Sequence, residues 1–383
     1  MLENVEMGAT LVLGAGLVGR VMAIDMAIDP GRTVTVVDVD AGRLEACNGI
    51  DRLTPVQEDC SDPAVLARLC SDHTLVLGAL PSRFSLDAMK TVITSGRSYC
   101  DISFMPQDAR VHHDLAVQHG VTVVFDCGVA PGISNLLAGV AAASLQPCRS
   151  ITIRVGGLPV ERDGVWDYKA PFSPYDVIEE YLRPARLVRD GHEVVRDALS
   201  ESVQIDFPPV GQLEAFNTDG LRSLVDTLDV PDMTEQTIRY PGYRDKVALL
   251  RNSGLLDDTP VDVGGVMVSP RALTCGKLFP LWTYAPGEAD LTIMRVEATG
   301  ERDGQPATIT WDLYDEYDPD SGFLSMARTT GFPATIIARC IESGMLNEPG
   351  VHPPEHLAST QGLVEHVFEA LARRGVTYSC TEA

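Results

Sequence analysis

Gly14-Ala15-Gly16-Leu17-Val18-Gly19 is a G-x-G-x-x-G run. Its glycines permit a tight turn and let a backbone approach a pyrophosphate closely. The apolar run Thr10 to Leu13 before it predicts a buried parallel strand. The small and apolar residues after it, through Val21, Ala23, Ile24 and Ile28, predict a helix whose positive end faces the phosphates. Pro30-Gly31 stops that helix, and the β-branched run from Thr33 to Val37 ends at Asp38, 19 residues after Gly19. An acid there hydrogen-bonds the ribose hydroxyls of NAD and repels the 2′-phosphate of NADP. A glycine-rich turn alone would be weak evidence. Strand, turn, helix and acid together predict NAD binding, with Gly14, Gly16, Leu17, Val18, Gly19 and Asp38 as contacts.

The elements that position this turn continue the pattern. Helical stretches at Val65 to Cys70, Phe84 to Thr94 and Asp108 to His119 alternate with strands at Thr74 to Leu80, Ser98 to Asp101 and Val121 to Phe125. A βα repeat of about six strands predicts an α/β fold, a doubly wound parallel Rossmann sheet. Ligands bind at the strand carboxyl ends of such a sheet. Asp59-Cys60, Ala79-Leu80-Pro81, Asp101 to Phe104 and Asp126 to Pro131, which includes Val129 and Ala130, fall at those ends.

From about residue 149 the texture changes. Ser150 to Val155 alternates, and Asp290 to Ala298 and Thr308 to Tyr317 read as a hairpin around Glu301-Arg302-Asp303-Gly304. Ser173-Pro174 and Ser269-Pro270 each start a helix. The expected organisation is a Rossmann domain over 1–127, an α+β substrate and dimerisation domain on a mixed or antiparallel sheet over 128–332, and C-terminal helices over 333–383. A return of those helices to the Rossmann domain is one arrangement left open.

Composition narrows the function. With 30 basic and 54 acidic residues the net charge is −24, which argues against nucleic acid or an anionic membrane as partner. Nine scattered cysteines without a C-x-x-C pair, and no leader-like start, lead us to expect a reducing cytoplasm and no disulfide framework. The histidines show no metal-ligand spacing, so no metal is expected. Cys100 and Cys127 read as buried thiols rather than nucleophiles, since neither has an activating histidine nearby in sequence.

The segments GAGLVG (14–19), FDCGVAPGISN (125–135), VGGLP (155–159), YKAPFSP (168–174), LEAFNTDG (213–220), TIRYPG (237–242) and MARTTG (326–331) occur in that order. Together they resemble the saccharopine dehydrogenase superfamily, most closely its lysine 6-dehydrogenase branch. The resemblance implies a Rossmann domain joined to an α+β substrate domain, and oxidation of a C–N bond with transfer of hydride to NAD(P). In the lysine branch the ε-amine of L-lysine is oxidised, ammonia is released, and the resulting aldehyde cyclises to a piperideine carboxylate. Tyr243 stands where that branch often has histidine, and Tyr168-Lys169 is more similar to the saccharopine members.

The resemblance places Asp126 beside the substrate amine, where it could hold an ammonium or accept its proton; otherwise it caps a turn. It places Ser103 and Phe104 against nicotinamide and substrate, although Phe104 also suits a core. Lys169, one of four lysines, is either a desolvated proton carrier or a surface lysine. Arg239 and Tyr240 end a short strand in the family's substrate motif. A guanidinium there suits an α-carboxylate bidentately or forms an ordinary ion pair. Arg222 and Arg328 are weaker candidates of the same kind. Thr218 offers a hydroxyl, and Glu214 is a structural acid or a second ammonium contact. The expected function is NAD-dependent oxidation of a basic amino acid, with a homo-oligomeric enzyme as its form. Saccharopine- or carboxynorspermidine-type oxidation of a secondary amine and a non-catalytic NAD-binding protein are the alternatives.

Overall fold

The computed structural model describes residues 8–383. The chain forms two compact units, one of Met1–Ala143 with Ala327–Thr377 and one of Ser144–Met326 with Tyr378–Ala383. In the first, strands β1 (Thr10–Leu13), β2 (Val34–Asp38), β3 (Leu53–Gln57), β4 (Leu75–Gly78), β5 (Ser98–Asp101) and β6 (Thr122–Val124) alternate with α1 (Leu17–Ala27), α2 (Ala41–Glu45), α3 (Pro63–Ser71), α4 (Ser82–Thr94) and α5 (His113–His119). Helix α6 (Ile133–Ser144) follows β6. The strands lie side by side in the order β3-β2-β1-β4-β5-β6, all parallel. β1, β4 and β6 are buried along their whole length, which explains their unbroken apolar sequences. The chain reverses its direction of winding between β1 and β4, the switch point at which doubly wound sheets bind ligands. Gly120 ends α5 in the left-handed conformation, φ 65°, as its position after the apolar periodicity predicts.

The second unit contains β7 (Cys148–Pro159), α7 (Pro174–Leu182), β8 (Ala185–Arg189), β9 (His192–Arg196), β10 (Val203–Phe207), β11 (Gly211–Asn217), α8 (Leu224–Thr227) and β12 (Asp232–Arg239). It continues with α9 (Tyr243–Asn252), β13 (Val261–Val263), β14 (Val266–Val268), α10 (Pro270–Trp282), β15 (Asp290–Arg302) and β16 (Gln305–Glu316). Its main sheet is mixed: β12 and β7 are parallel, and β7–β15 and β15–β16 are antiparallel. The expected hairpin is present and longer than its alternation suggested. β15 and β16 pair down to Arg302 opposite Gln305, leaving Asp303-Gly304 as a two-residue turn with both φ positive, 54° and 74°. The hydroxyls of Ser173 and Ser269 accept backbone N–H groups of Asp176 and Ala272, capping α7 and α10.

The last elements are α11 (Ser325–Glu342), β17 (Gly350–His352), α12 (Leu363–Ala372) and β18 (Tyr378–Glu382). The sequence suggests that α11 begins at Pro333; it begins a full two turns earlier. Its cap comes from Asp290, distant in sequence, whose carboxylate accepts N–H groups of Ser325 and Met326 at 2.6 and 3.0 Å. β18 adds to β16. β17 adds in parallel to β6 and makes a seventh strand of the first sheet, so the C-terminal segment does return to the Rossmann unit.

That return is held by buried charge. Asp25 of α1, 4 % exposed, accepts from Arg339 at 2.7 Å, from Arg374 at 2.7 and 3.1 Å, and from Thr335 at 2.6 Å. Burial opposes its ionisation, but the two guanidiniums and the hydroxyl outweigh it and hold Asp25 below the ordinary carboxylate range. Arg339 also binds Asp29, and the fully buried Arg32 binds Asp29, Thr10 and Glu342. Removing one partner of such a buried network strands the others. Asp25→Ala should therefore lower unfolding free energy by about 3–5 kcal/mol in a urea titration, whereas truncating the exposed Glu369 of the pair with Arg373 should change it by less than ~1 kcal/mol.

Candidate active site

Each glycine of the β1–α1 turn has its own physical reason. Gly14 has φ 98°, and a Cβ there would also meet the Ala79 carbonyl; a Cβ on Gly19 would run into the Gly14 carbonyl. These two are required by the protein's own packing. A Cβ on Gly16 would meet nothing within 4 Å, so that glycine leaves open space beside the N-terminus of α1, as a pyrophosphate cradle requires. Leu17 is 43 % exposed at this edge, while Val18 is buried. The residues present fit a dinucleotide.

Asp38 sits where the sequence places it, with a further task. One carboxylate oxygen accepts the Ala15 N–H at 2.8 Å and the other the Asp40 N–H at 2.9 Å. Arg43 approaches to 3.6 Å. The acid thus tethers the glycine turn to the end of β2 and keeps lone pairs for a ribose hydroxyl. Asp59 is exposed and closes a turn on Ser61. Cys60 points into the apolar core, where burial pushes its thiol up to about 12, so only its backbone can serve a cofactor. Ala79 and Leu80 are partly exposed and Pro81 exposed after β4. Val129 is buried and Ala130 partly exposed in the loop that leads to α6.

The ends of β5 and β6 bring acids together. Asp101 is fully buried; its carboxylate accepts from the Ser103 hydroxyl at 2.8 Å, and its carbonyl accepts from the Cys127 N–H at 2.8 Å. Ser103 also reaches the Leu80 carbonyl at 3.0 Å. A Cβ on Gly78 would collide with both the Tyr99 hydroxyl and the Asp101 carboxylate, so glycine at the end of β4 makes room for that pair. Burial pushes Asp101 up to about 7, with the charge of Asp126 adding and Ser103 opposing. Asp126 is itself fully buried and adopts φ 50°, a strained conformation for a non-glycine residue. Phe104 is partly exposed beside them in sequence. Ser103 and Asp126 therefore share one corner of the Rossmann unit, tied by an acid that the sequence marked only as a strand end.

In the second unit Arg239 is 3 % exposed at the end of β12. Its guanidinium donates to the Tyr181 hydroxyl at 3.1 and 3.2 Å and to Glu180 at 3.4 Å, and it stacks over the Tyr168 ring at 4.7 Å. Thr218 is brought close: its hydroxyl donates to Glu235 at 2.7 Å and meets Thr237 at 2.8 Å. Glu235 also accepts the Gly220 N–H at 3.0 Å. Burial pushes Glu235 up to about 8 and Glu180 up to about 7, the latter opposed by Arg239. Neither glutamate was singled out in the sequence; Glu235 lies on β12, which is buried on both faces.

Other candidates have structural duties. Lys169, for which the sequence leaves a desolvated proton carrier and a surface lysine open, is ion-paired. Its ammonium is bound by both oxygens of Glu288. The Tyr240 hydroxyl donates to the Pro159 carbonyl at 3.0 Å, and Arg162 lies over its ring at 4.8 Å. Glu214 accepts from Ser202 and from the Gly242 N–H. Arg328 donates to the Arg374 carbonyl at 3.1 Å. Arg222 is buried with φ 54°. All nine cysteines are free thiols, and Cys100 and Cys127 are buried.

Comparison with known proteins decides the family. Models of the saccharopine dehydrogenase NADP binding domain and C-terminal domain match residues 10–124 and 128–376. The chain belongs to the saccharopine dehydrogenase family. It is similar to saccharopine dehydrogenase [NADP(+), L-glutamate-forming] of Schizosaccharomyces pombe, at 22% identity over 97% of this chain and 98% of that one. It is also similar to the mitochondrial alpha-aminoadipic semialdehyde synthase of Bos taurus, at 21% identity over 98% of this chain and 48% of the relative. Apo saccharopine dehydrogenase (L-Glu forming) from Saccharomyces cerevisiae shares the fold, with a TM-score of 0.81 at 19% identity over 98% of this chain and 100% of that one. This saccharopine dehydrogenase family member is thus a dehydrogenase by family, on a nucleotide-binding fold.

The raised pKa of Glu235 has a consequence for stability. Glu235 titrates near 8 when folded, against an ordinary 4.5. The unfolded chain therefore releases this proton at lower pH than the folded one, and stability falls as pH rises from about 4.5 to about 8. Glu235→Gln keeps an acceptor for Thr218 and Gly220 while removing that loss. Relative to the unsubstituted protein, the variant should gain on the order of a few kcal/mol of stability between pH 5 and pH 8.5, read as a Tm difference that widens with pH. A difference that stays constant over this range contradicts the assignment.

Proposed function

We propose that this chain is an NAD-dependent dehydrogenase that oxidises the amine of a basic amino acid, with the ε-amine of L-lysine as substrate. The products are the semialdehyde, in equilibrium with its cyclic piperideine carboxylate, and ammonia. What carries the reading is the corner formed by Asp101, Ser103 and Asp126 in the same unit as the glycine cradle. When bound, the nicotinamide supplies the hydride acceptor. Asp126 holds the ammonium and takes a proton from it, because the nitrogen must be neutral before its lone pair can assist loss of hydride. Asp101, poised near neutrality, keeps Ser103 and the Asp126 loop in register. Arg239, stiffened by Tyr168 and Tyr181, is the guanidinium of the second unit suited to a carboxylate.

Cofactor choice rests on Asp38. Its carboxylate is fixed by two backbone N–H groups, and Asp40 adds a second negative charge at the same rim. A 2′-phosphate brought there would be opposed by both, with only the half-exposed Arg43 to offset them. Initial rates with NAD should exceed those with NADP by at least ~10-fold, and Asp38→Ser should narrow the gap. Equal or faster turnover with NADP in the unsubstituted protein rules this out.

A second reading, oxidation of the secondary amine of saccharopine, is favoured by the names of the relatives. That substrate carries additional carboxylates, which need additional cations. Arg183, which acts on Glu180 beside Arg239, already faces the acids Glu179, Asp176 and Asp219, which supports the free basic amino acid instead. Asp126→Asn should lower kcat by roughly 100-fold, while Arg239→Lys should mainly raise KM for lysine. Cadaverine, which lacks the α-carboxylate, should reproduce the Arg239 defect in the unsubstituted enzyme. Reduced-cofactor formation measured with lysine, saccharopine and cadaverine side by side tests the substrate: saccharopine consumed faster than lysine overturns the lysine assignment.

A further inference from the structure

Ser103 has one hydroxyl hydrogen and two acceptors for it. Its Oγ lies 2.8 Å from Asp101 Oδ1 and 3.0 Å from the Leu80 carbonyl, and a serine hydroxyl donates only once. With Asp101 ionised, the hydrogen serves one acceptor and the other faces a serine lone pair at hydrogen-bond distance. Two oxygens with no proton between them repel, and a low dielectric strengthens the repulsion. The other carboxyl oxygen, Asp101 Oδ2, is buried and meets no donor. The Tyr99 hydroxyl lies over the same Gly78 but makes no hydrogen bond. Among the described residues, Asp101 is surrounded by the Ser103 N–H and hydroxyl, that phenol, the Cys100 thiol and the Asp126 carboxyl, with no guanidinium or ammonium. Asp25, buried in the same unit, has two guanidiniums. A buried carboxylate without a cation and with an unmatched oxygen is costly, and a neutral acid far less so.

We propose that Asp101 is a positioning residue that works as a neutral acid: its O–H donates to Ser103 Oγ, and the Ser103 hydroxyl donates in turn to the Leu80 carbonyl. Two hydrogens then serve two bonds, and every close pair of oxygens has a proton between them. The Ser103 N–H, 3.3 Å from the same Oδ1, still finds a lone pair there. Burial acts in the same direction and pushes Asp101 up to about 7, with the charge of Asp126 adding to it. This assignment rests on the reading of the corner as the reaction site, and there it fixes what Ser103 can offer a ligand. Its hydrogen is directed at Leu80 and one lone pair at Asp101. The lone pair that remains makes Ser103 an acceptor for an N–H, and not a donor to a carbonyl or carboxylate. An amine or an ammonium meets that demand. A neutral Asp101 also adds no negative charge beside Asp126.

Infrared difference spectroscopy of the full chain, without substrate or cofactor, reads this proton directly. At about pH 5.5 the spectrum of the unsubstituted protein minus that of Asp101→Asn should contain a protonated-carboxyl C=O band, and at about pH 8.5 that band should be gone. An asparagine amide can donate to Ser103 as the neutral acid does, and alanine cannot. Asp101→Asn should therefore melt above Asp101→Ala at about pH 6. The folded pKa lies above the unfolded one, so the unsubstituted protein loses stability as pH rises through this window and the asparagine variant does not. The Tm of Asp101→Asn relative to the unsubstituted protein should accordingly rise between about pH 4 and about pH 7. Turnover adds a readout that a merely structural acid would not move. Asp101→Ala and Ser103→Ala should each lower kcat/KM for lysine by roughly 10-fold, the double variant by no more than either alone, and Asp101→Asn should recover most of the loss. Absence of the protonated-carboxyl band overturns the proposal. So does an asparagine variant as unstable as the alanine one. A protein that shows the band and yet does not oxidise lysine upholds the neutral Asp101 and refutes only the amine-dehydrogenase reading.

Discussion

The carboxylate of Asp25 is the interaction on which the nucleotide-binding unit of this molecule depends. It draws Arg339, Arg374 and Thr335 onto α1, and with them the segment that carries β17. Once β17 pairs with β6, β6 is an interior strand, and the residues that follow it no longer lie at an open edge. The Phe125 N–H donates to the His352 carbonyl and the Thr122 hydroxyl to that of Glu348. Asp126 leaves the sheet from a strand fixed on both sides. An acid held at φ 50° persists only where its surroundings are this well determined.

Both units place carboxylic acids where burial favours the protonated form. Asp101, Glu180 and Glu235 are all pushed to about 7 or 8 by burial. Such groups cost folding stability as the pH rises. Asp25 shows the contrast. It is also buried, but two guanidiniums keep it ionised, so it serves cohesion.

Wherever the determinants were local, the sequence was legible. The Rossmann order, the glycine turn, the serine caps of α7 and α10 and the β15–β16 hairpin follow from spacing, turn chemistry and alternation within a dozen residues. What stayed hidden was set by contacts across long stretches of chain. The true start of α11 needs Asp290, and its Pro333 looked like a beginning. For Lys169 the sequence leaves a desolvated and a surface lysine open, because its partner Glu288 lies 119 residues away. Asp101 looked like a strand end and Glu235 was not singled out, because the layer that buries each comes from elsewhere in the fold. The resemblance to saccharopine dehydrogenases pointed to the family but not to these acids.

The most direct test of the account is the fate of one hydrogen. L-Lysine carrying deuterium only at the ε-carbon should be incubated with the enzyme and NAD, and the reduced cofactor examined by mass spectrometry. Oxidation of the ε-amine predicts one deuterium in each reduced cofactor and one retained in the aldehyde product. Reduced cofactor without deuterium, formed while lysine is consumed, would place the oxidation at another carbon and contradict the account.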